Sequence, residues 1–201
     1  MRFLFFLLLL SNFCFSQKSN EGFLAELIQD YVSVKYPKAP LDTFIYIGVK
    51  RQKLYIIKSK QLDRVFDIST SSKGSGNKIA SFQTPLGMHS IHEKIGKGAA
   101  IGTLFVNKKN THKIVTIDTL KNYTENDEIT TRLISLIGTE ININKGGDVD
   151  TYKRGIYIHG TSNEKSIGTP SSHGCVRMKN IDVIELFKKV HENTLVFLFD
   201  N

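Results

Sequence analysis

Apolar residues in this chain of 201 residues follow two different periods. Between Asn20 and the prolines at 37 and 40 they recur at helical spacing, which predicts one amphipathic helix with Ser19 or Asn20 as its N-cap. Proline cannot continue a helix, so Pro37 and Pro40 end it. The predicted buried face comprises Phe23, Leu24, Leu27, Ile28, Tyr31 and Val32.

From Thr43 onward the period changes to that of strands. The runs FIYIGV and LYIIKS, joined by the polar turn KRQK, predict a hairpin, and RVFDIST predicts a third strand. Residues 69–85 are rich in Gly and Ser and predict a loop. Further strands are predicted at MHSIHEK, TLFVNKK, KIVTIDTL, GIYIHGT and TLVFLFD.

Two other segments have helical spacing. TENDEITTRLISLIG, residues 124–138, favours a helix by spacing alone. Near the C-terminus, Asn180 is predicted to be the N-cap of a helix whose Ile181, Ile184, Phe187 and Val190 share one face. Many short strands, two or three helices and no alternation of strand with helix together predict a mainly β domain.

The N-terminus has the pattern of a secretory signal peptide. Arg2 is followed by the apolar run Phe3 to Leu10 and then by small residues, which predicts a signal over residues 1–16 with cleavage before Gln17. The apolar run is too short to span a bilayer, so we expect no stable membrane insertion. Acylation of Cys14 is the alternative, although Phe13 occupies the position where a small residue is wanted.

Charge and size narrow the function classes. The chain carries a formal net charge of +8, and about 185 residues remain after the signal, which suits one domain. A positive exported protein is drawn toward anionic polymers such as the cell wall, although the charge also serves solubility. The lysines are scattered with no basic stripe interleaved with aromatics, so no nucleic-acid partner is expected.

Cys175 would be the only cysteine left after signal removal, so it cannot form an internal disulfide. A thiol attacks as the thiolate and needs a base nearby. Two candidate bases are His159, at the end of a predicted strand, and His173, two positions before the cysteine. Residues two apart in an extended segment point the same way, so His173 is expected to flank the thiol.

Glycine next to each histidine strengthens the case for a reactive thiol. Glycine lets the backbone turn sharply, so the amides of Gly174 and Cys175 can point at a developing oxyanion. The rival interpretations are a zinc site made by the two histidines and the cysteine, without the usual ligand spacing, and a buried inert thiol. His89 and His92, by strand alternation, are interpreted as surface positions.

The block H159-G160-T161, ten residues, then S172-H173-G174-C175-V176-R177-M178 resembles the signature of the L,D-transpeptidase catalytic domain family of YkuD type. DISTSSKGSG resembles the strand and loop of that family, and TPLG followed by MHSI resembles its turn and next strand. The resemblance covers roughly residues 43 to 200. It implies a flattened β-barrel or sandwich, with residues 17–42 as a helical extension and residues 43–201 as the catalytic domain.

The resemblance also implies residue roles. Cys175 would be the nucleophile, His159 its base, and the Gly160 carbonyl would orient the imidazole. His173 and Gly174 would line the site and, with the amide of Cys175, hold the oxyanion. Substrate binding would fall to Arg177, unless it pairs with a loop acid instead, with Ser172 and Thr161 as hydrogen-bonding scaffold.

The implied activity is acyl transfer on peptidoglycan stem peptides. The cysteine would attack the diamino acid at stem position three, release the terminal D-alanine and leave a thioester, which a second stem's amine would resolve as a 3-to-3 cross-link. No metal and no cofactor are expected. Hydrolysis of the same thioester, as in an L,D-carboxypeptidase, and a non-catalytic wall-binding module are the alternatives. We expect a monomer, exported to the periplasm or cell envelope.

Overall fold

The computed structural model describes residues 20–119 and 128–201, and its elements are mainly strands. The predicted signal peptide over residues 1–16 therefore lies outside the described residues. No helix in the described ranges combines the length and apolar character needed to cross a bilayer. The elements, in chain order, are α1 Asn20–Lys35, β1 Thr43–Gly48, β2 Lys53–Lys58, β3 Gln61–Ser69, β4 Gly87–Ile95, β5 Thr103–Val106, β6 Lys109–Ile114, β7 Ile129–Gly138, β8 Tyr157–Thr161, β9 Val176–Met178, α2 Asn180–Lys189 and β10 Leu195–Phe199.

The strands form one sheet that closes on itself. Their order is β4-β10-β1-β2-β3-β9-β8-β7, and β4 also pairs with β7, which completes a ring. The β5–β6 hairpin extends the sheet outward from β7. The β1–β10 and β8–β9 pairs are parallel, whereas the other pairs are antiparallel. The predicted mainly β, barrel-like fold is confirmed.

The larger hydrophobic core joins the strands to α2. It contains alternate residues of the strands together with Val183, Leu186 and Phe187 of the helix. Burying each aliphatic side chain stabilises the fold by about 1.5–3 kcal/mol. Because Ile158 of β8 and Val176 of β9 both belong to this core, the orientation of those two strands is fixed.

A second core lies on the other side of the sheet, under α1. Ala25, Ile28 and Val32 of the helix pack on Phe44 and Phe197, which are the outward-facing residues of β1 and β10. The helix is thus part of the folded body. Its predicted face was only half right, because Phe23 is 59% exposed and Leu27 is 50% exposed.

Two segments differ from the sequence predictions. The helix predicted over residues 124–138 is wrong, since β7 runs from Ile129 to Gly138 and residues 120–127 lie outside the described part. β7 is buried along most of its length, and a strand buried on both faces gives an apolar run that periodicity cannot distinguish from a helix. The predicted strand KIVTIDTL ends at Ile114.

Helix α2 is present, but Asn180 is not its N-cap. Lys179 occupies the cap position without a side-chain cap bond, and Asn180 is the first residue of the helix, with a buried side chain. Ile181, predicted to lie on the packed face, is 63% exposed. The Asn180 side chain turns toward the end of β8 instead.

Candidate functional site

The register of β8 on β9 sets the strand that carries the predicted base beside the strand that directly follows the predicted nucleophile. Ile158 pairs with Val176 and His159 pairs with Arg177 in a parallel ladder. Since Ile158 and Val176 face the core, alternation places His159 and Arg177 on the opposite face of the sheet. Cys175 directly precedes β9, so its backbone lies beside the start of β8, two residues before His159.

The sulfur of Cys175 contacts backbone polar groups from the start of β8. The Tyr157 amide donates to Sγ over 3.4 Å, and the Gly155 carbonyl lies 3.5 Å from Sγ. A hydrogen bond donated to sulfur favours the charged form, whereas a carbonyl can only accept the thiol proton. Cys175 is partly exposed, so a reagent can reach it. These features suit a reactive thiol better than an inert buried one.

His159 is held in one orientation by its neighbour. Its ring is 1% exposed, and Nδ1 lies 2.8 Å from the Gly160 carbonyl oxygen. Because a carbonyl oxygen only accepts, Nδ1 must carry the proton in this bond. In the neutral ring Nε2 then has no proton and can act as a base.

Gly160 has no room for a side chain. A Cβ at this position would lie 2.7 Å from Asn180 Oδ1 and 2.7 Å from the Thr130 carbonyl oxygen. Both neighbours are buried and fixed by their own bonds. The close approach of β7 and α2 to Gly160 therefore fixes the carbonyl that orients His159.

Next to Gly160, the Asn180 side chain at the start of α2 connects β7, the end of β8 and the segment at Glu164. Its Oδ1 accepts from the hydroxyls of Thr130 (2.7 Å) and Thr131, and its Nδ2 donates to the Thr161 carbonyl (2.8 Å) and to Glu164 Oε1 (2.7 Å). The backbone amide of Asn180 donates to the same Glu164 oxygen. Four side-chain bonds leave this buried amide fully used.

A bulge in β7 makes the double threonine contact feasible. Consecutive residues of a regular strand point to opposite faces. The β7–β8 register shifts between Thr130 and Leu133, and Thr131 has a φ of +65°, a conformation that is rare for a β-branched residue. Both hydroxyls then reach Asn180, and such local strain is often found near functional sites.

The segment before the cysteine is a tight turn. Ser172 Oγ donates to the Cys175 carbonyl oxygen over 2.6 Å and accepts from the Gly174 amide over 3.2 Å. Gly174 has a φ of +124°, which side-chain-bearing residues rarely adopt. The Gly174 amide is therefore already engaged, and its predicted role in holding an oxyanion requires the Ser172 bond to be released.

His173 stands in the segment just before Cys175. Residues 173–175 form a bend, so the premise of an extended segment was wrong. The His173 side chain is exposed, and its ring contacts Phe82 edge-on with centroids 6.1 Å apart. Its predicted place in the lining of the site stays a prediction.

Arg177 is buried, with 2% of its surface exposed. Its Nη2 donates to the hydroxyls of Ser171 and Ser69, the latter over 3.4 Å. The guanidinium thus holds the segment before the cysteine against the end of β3. Contact of Arg177 with a substrate stays a prediction.

Thr161 and Ser172 are both fully buried. Thr161 Oγ1 accepts from the Asn163 amide over 3.1 Å, and Ser172 forms the turn bonds given above. Both therefore support the site through hydrogen bonds, as a scaffold does. Their contact with substrate stays a prediction. In the described ranges, no three His, Cys, Asp or Glu side chains are grouped as a metal ion would require.

His89, interpreted as a surface position, is fully buried, so that interpretation was wrong, whereas His92 is exposed. His89 Nε2 lies 3.0 Å from Thr151 Oγ1 and Nδ1 lies 3.1 Å from the Gly87 carbonyl oxygen. Burial lowers the pKa of His89 to about 4, so the ring is neutral at pH 7. It braces the segment that leads to Gly155 beside the sulfur.

In this closed β-barrel a partly exposed cysteine precedes β9, and β9 pairs with the strand that carries His159; a thiol and an imidazole are the groups used in nucleophilic acyl transfer. The model of the L,D-transpeptidase catalytic domain (YkuD) matches residues 42–198 of this chain. The chain belongs to the L,D-transpeptidase catalytic domain family. The family resemblance of the sequence is thereby confirmed.

The curated relatives match over short segments. YkuD of Bacillus subtilis (strain 168) is 47% identical over 58 residues, which cover 26% of this chain and 35% of YkuD. YqjB of the same organism is 43% identical over 44 residues, which cover 22% of this chain and 25% of YqjB. The matched part is thus about a quarter to a third of either relative.

Solved structures are also similar. An L,D-transpeptidase from Mycobacterium smegmatis superposes with a TM-score of 0.49 at 12% identity, covering 79% of this chain and 58% of that one. The L,D-transpeptidase from Xylanimonas cellulosilytica gives a TM-score of 0.49 at 15% identity, covering 89% of this chain and 78% of that one.

Proposed function

We propose that this chain is a peptidoglycan L,D-transpeptidase in which Cys175 is the nucleophile and His159 is the base. The observation that supports it best is the parallel β8–β9 register, which sets the strand that carries His159 beside the strand that directly follows Cys175. We also propose residues 43–201 as the catalytic unit, a monomeric protein, and export to the periplasm or cell envelope. The family match over residues 42–198 supports these bounds of the catalytic unit.

Acylation begins with proton transfer from Cys175 to His159 Nε2. The thiolate attacks the carbonyl of the diamino acid at stem position three, and the Sγ–C bond forms as the peptide C–N bond to D-alanine breaks. The proton on Nε2 passes to the departing amine, so free D-alanine leaves and a thioester remains. The Gly160 carbonyl keeps Nδ1 protonated throughout, which holds the imidazolium in place.

Negative charge develops on the substrate carbonyl oxygen during acylation and again when the thioester is attacked. Hydrogen-bond donors must stabilise it each time. The turn formed by Ser172, Gly174 and Cys175 places backbone amides next to the nucleophile. For the Gly174 amide to bind an oxyanion, it must leave Ser172 Oγ as the substrate enters. The remaining donor in this proposal is the amide of Cys175 itself.

The second step decides the product. An amine from another stem attacks the thioester, loses its proton to His159 Nε2 and gives the 3-to-3 cross-link, while the thiolate departs. If water attacks instead, the product is a free tripeptide and the chain is an L,D-carboxypeptidase. The cell wall, in this proposal, is the partner that the positive charge attracts.

The test is digestion of a disaccharide tetrapeptide followed by separation of the products. We expect D-alanine together with a cross-linked dimer. Tripeptide without dimer rejects transfer and selects hydrolysis. Loss of both products is expected in Cys175→Ala with unchanged folding, and turnover retained in that variant rejects Cys175 as the nucleophile.

A non-catalytic wall-binding module is tested separately with a carbapenem. We expect a covalent adduct on Cys175, detected by mass spectrometry of the intact protein and assigned by peptide mapping. An unreactive thiol, with retained binding to isolated cell wall, selects the binding module.

A further inference from the structure

Arg154 lies in the turn that leads into β8 and is half-buried. Its guanidinium is occupied by a single loop, the one between β3 and β4. Nη1 donates to the Gly76 carbonyl over 3.0 Å, and Nη2 donates to the Gln83 carbonyl and, over 3.4 Å, to Ser81 Oγ. Three acceptors from one loop make this arginine a clamp.

The loop that Arg154 holds packs against the turn at residues 172–175, which is called the cysteine turn below. A Cβ on Gly174 would lie 3.2 Å from the Gln83 carbonyl oxygen and 3.7 Å from that of Phe82. On the other side, the Gly155 carbonyl, next in chain to Arg154, lies 3.5 Å from the sulfur. Arg154 thus links the two backbone segments that flank Cys175.

The positive charge of Arg154 lies beside the turn that contains Cys175, since its guanidinium donates to the same Gln83 carbonyl that faces Gly174. No ion pair in the structure's described residues includes Arg154. Burial lowers the pKa of Arg154, and an electrostatic interaction with Cys175 opposes that lowering. The guanidinium therefore favours a negatively charged sulfur.

Other titratable or charged side chains on the segments around Cys175 are Tyr157, His159, His173 and Arg177. Tyr157, whose pKa is raised mainly by burial, is neutral at pH 7 and also interacts with Cys175 and Lys108. His159 comes from β8, and His173 precedes the cysteine. Arg177, two positions after the cysteine, is tied to Ser69 and Ser171.

We propose that Arg154 is a positioning residue for the nucleophile: it holds the loop at residues 76–83 against the cysteine turn, and its positive charge stabilises the Cys175 thiolate. The inference deepens the proposed function and rests on it for its catalytic meaning. The state of the thiol can nevertheless be measured without any peptidoglycan substrate.

The experiment is alkylation of the full chain by iodoacetamide from pH 5 to pH 10, with modification of Cys175 quantified by peptide mapping. In Arg154→Met we expect the midpoint of the pH–rate profile to move upward and the rate at pH 7 to fall about tenfold, since only the thiolate reacts. In Arg154→Lys, which keeps the charge, we expect a fall of less than about threefold. Arg64→Met removes a cation paired with Glu185 on the exposed surface and should leave the profile unchanged.

A profile of Arg154→Met that superposes on wild type overturns the electrostatic part. If that variant does not fold, Arg154→Gln keeps a polar side chain without the charge and is expected to show the same shift; an unshifted profile in it overturns the proposal equally. The clamp is tested by trypsin cleavage after Lys78. We expect faster cleavage in both Arg154→Met and Arg154→Lys, and unchanged cleavage in Arg154→Met overturns the clamp.

Failure of the proposed function gives a different result. If the wild-type protein leaves tetrapeptide untouched but the alkylation profile still depends on Arg154, the proposed transpeptidase is wrong and the role of Arg154 at the thiol stands. If the wild-type protein processes the tetrapeptide but substitution of Arg154 leaves the alkylation profile unchanged, the proposed function stands and only the role of Arg154 is wrong.

Discussion

Asn180→Asp separates two roles for the residue at the start of α2. As an N-cap, Asn and Asp are about equivalent, and the change would have almost no effect on stability. As the buried connector seen here, Asn180 needs Nδ2 to donate to the Thr161 carbonyl (2.8 Å) and to Glu164 Oε1 (2.7 Å). Aspartate supplies only acceptors, so both contacts become repulsive.

The expected cost follows from those two contacts. Each buried group that loses its partner costs about 1–3 kcal/mol, and the second carboxylate placed against Glu164 adds to this. The bonds from Thr130 and Thr131 to Oδ1 survive the change. We therefore expect Asn180→Asp to lower the free energy of unfolding by about 2–5 kcal/mol, a large part of the total for one domain.

Urea denaturation at pH 7 measures this free energy directly, provided that the slope with urea is unchanged. The matched control is Glu164→Gln, in which a carbonyl oxygen still accepts from Asn180. In the double variant the introduced glutamine amide can donate to the introduced aspartate carboxylate, so we expect at least half of the loss to be recovered. A stability of Asn180→Asp within about 0.5 kcal/mol of wild type would refute the connector role.

Three further outcomes are expected. Gly160→Ala should destabilise the fold by about 2 kcal/mol or more and reduce turnover, because its Cβ would lie 2.7 Å from Asn180 Oδ1 and the Thr130 carbonyl; normal stability in thermal unfolding would contradict this. Since burial lowers the pKa of His89 to about 4, its stabilisation is complete above the unfolded value near 6.5 and is lost as pH falls toward 4. Wild type should lose about 3 kcal/mol more than His89→Gln across that window, and parallel stability curves would refute it. Tyr36→Phe removes the bond to Glu140 (3.2 Å) and should cost about 1 kcal/mol; a cost near zero in urea denaturation would show that this bond adds nothing.

Much of the fold could be predicted because local signals agree with it. The hairpin of β1 and β2, the strand that carries His159 and the closing strand β10 alternate or run apolar between polar turns, and all were predicted in place. β7 could not be identified, because a strand buried on both faces carries no alternation. Half of the predicted buried face of α1 is exposed. The outward-facing residues of β1 and β10 determine which helix residues are buried, and the helix sequence alone does not show this.

The candidate site was predicted by residue type, and its supports were not. The spacing of His159 and Cys175 carries the family signature, but nothing in sequence shows that β8 and β9 pair in parallel. Asn180 gave the signal of a helix cap, and only the bulge at Thr131 shows why it turns inward. Arg154 gave no signal, because its acceptors are backbone carbonyls of a distant loop.

The most direct test of the central claim is the mass of the intact protein after rapid mixing with the tetrapeptide and acid quenching. We expect a thioester on Cys175 whose added mass is that of the stem less D-alanine, formed in wild type and in His173→Gln but at least about a hundredfold more slowly in His159→Gln. Acylation of His159→Gln at the wild-type rate would contradict it.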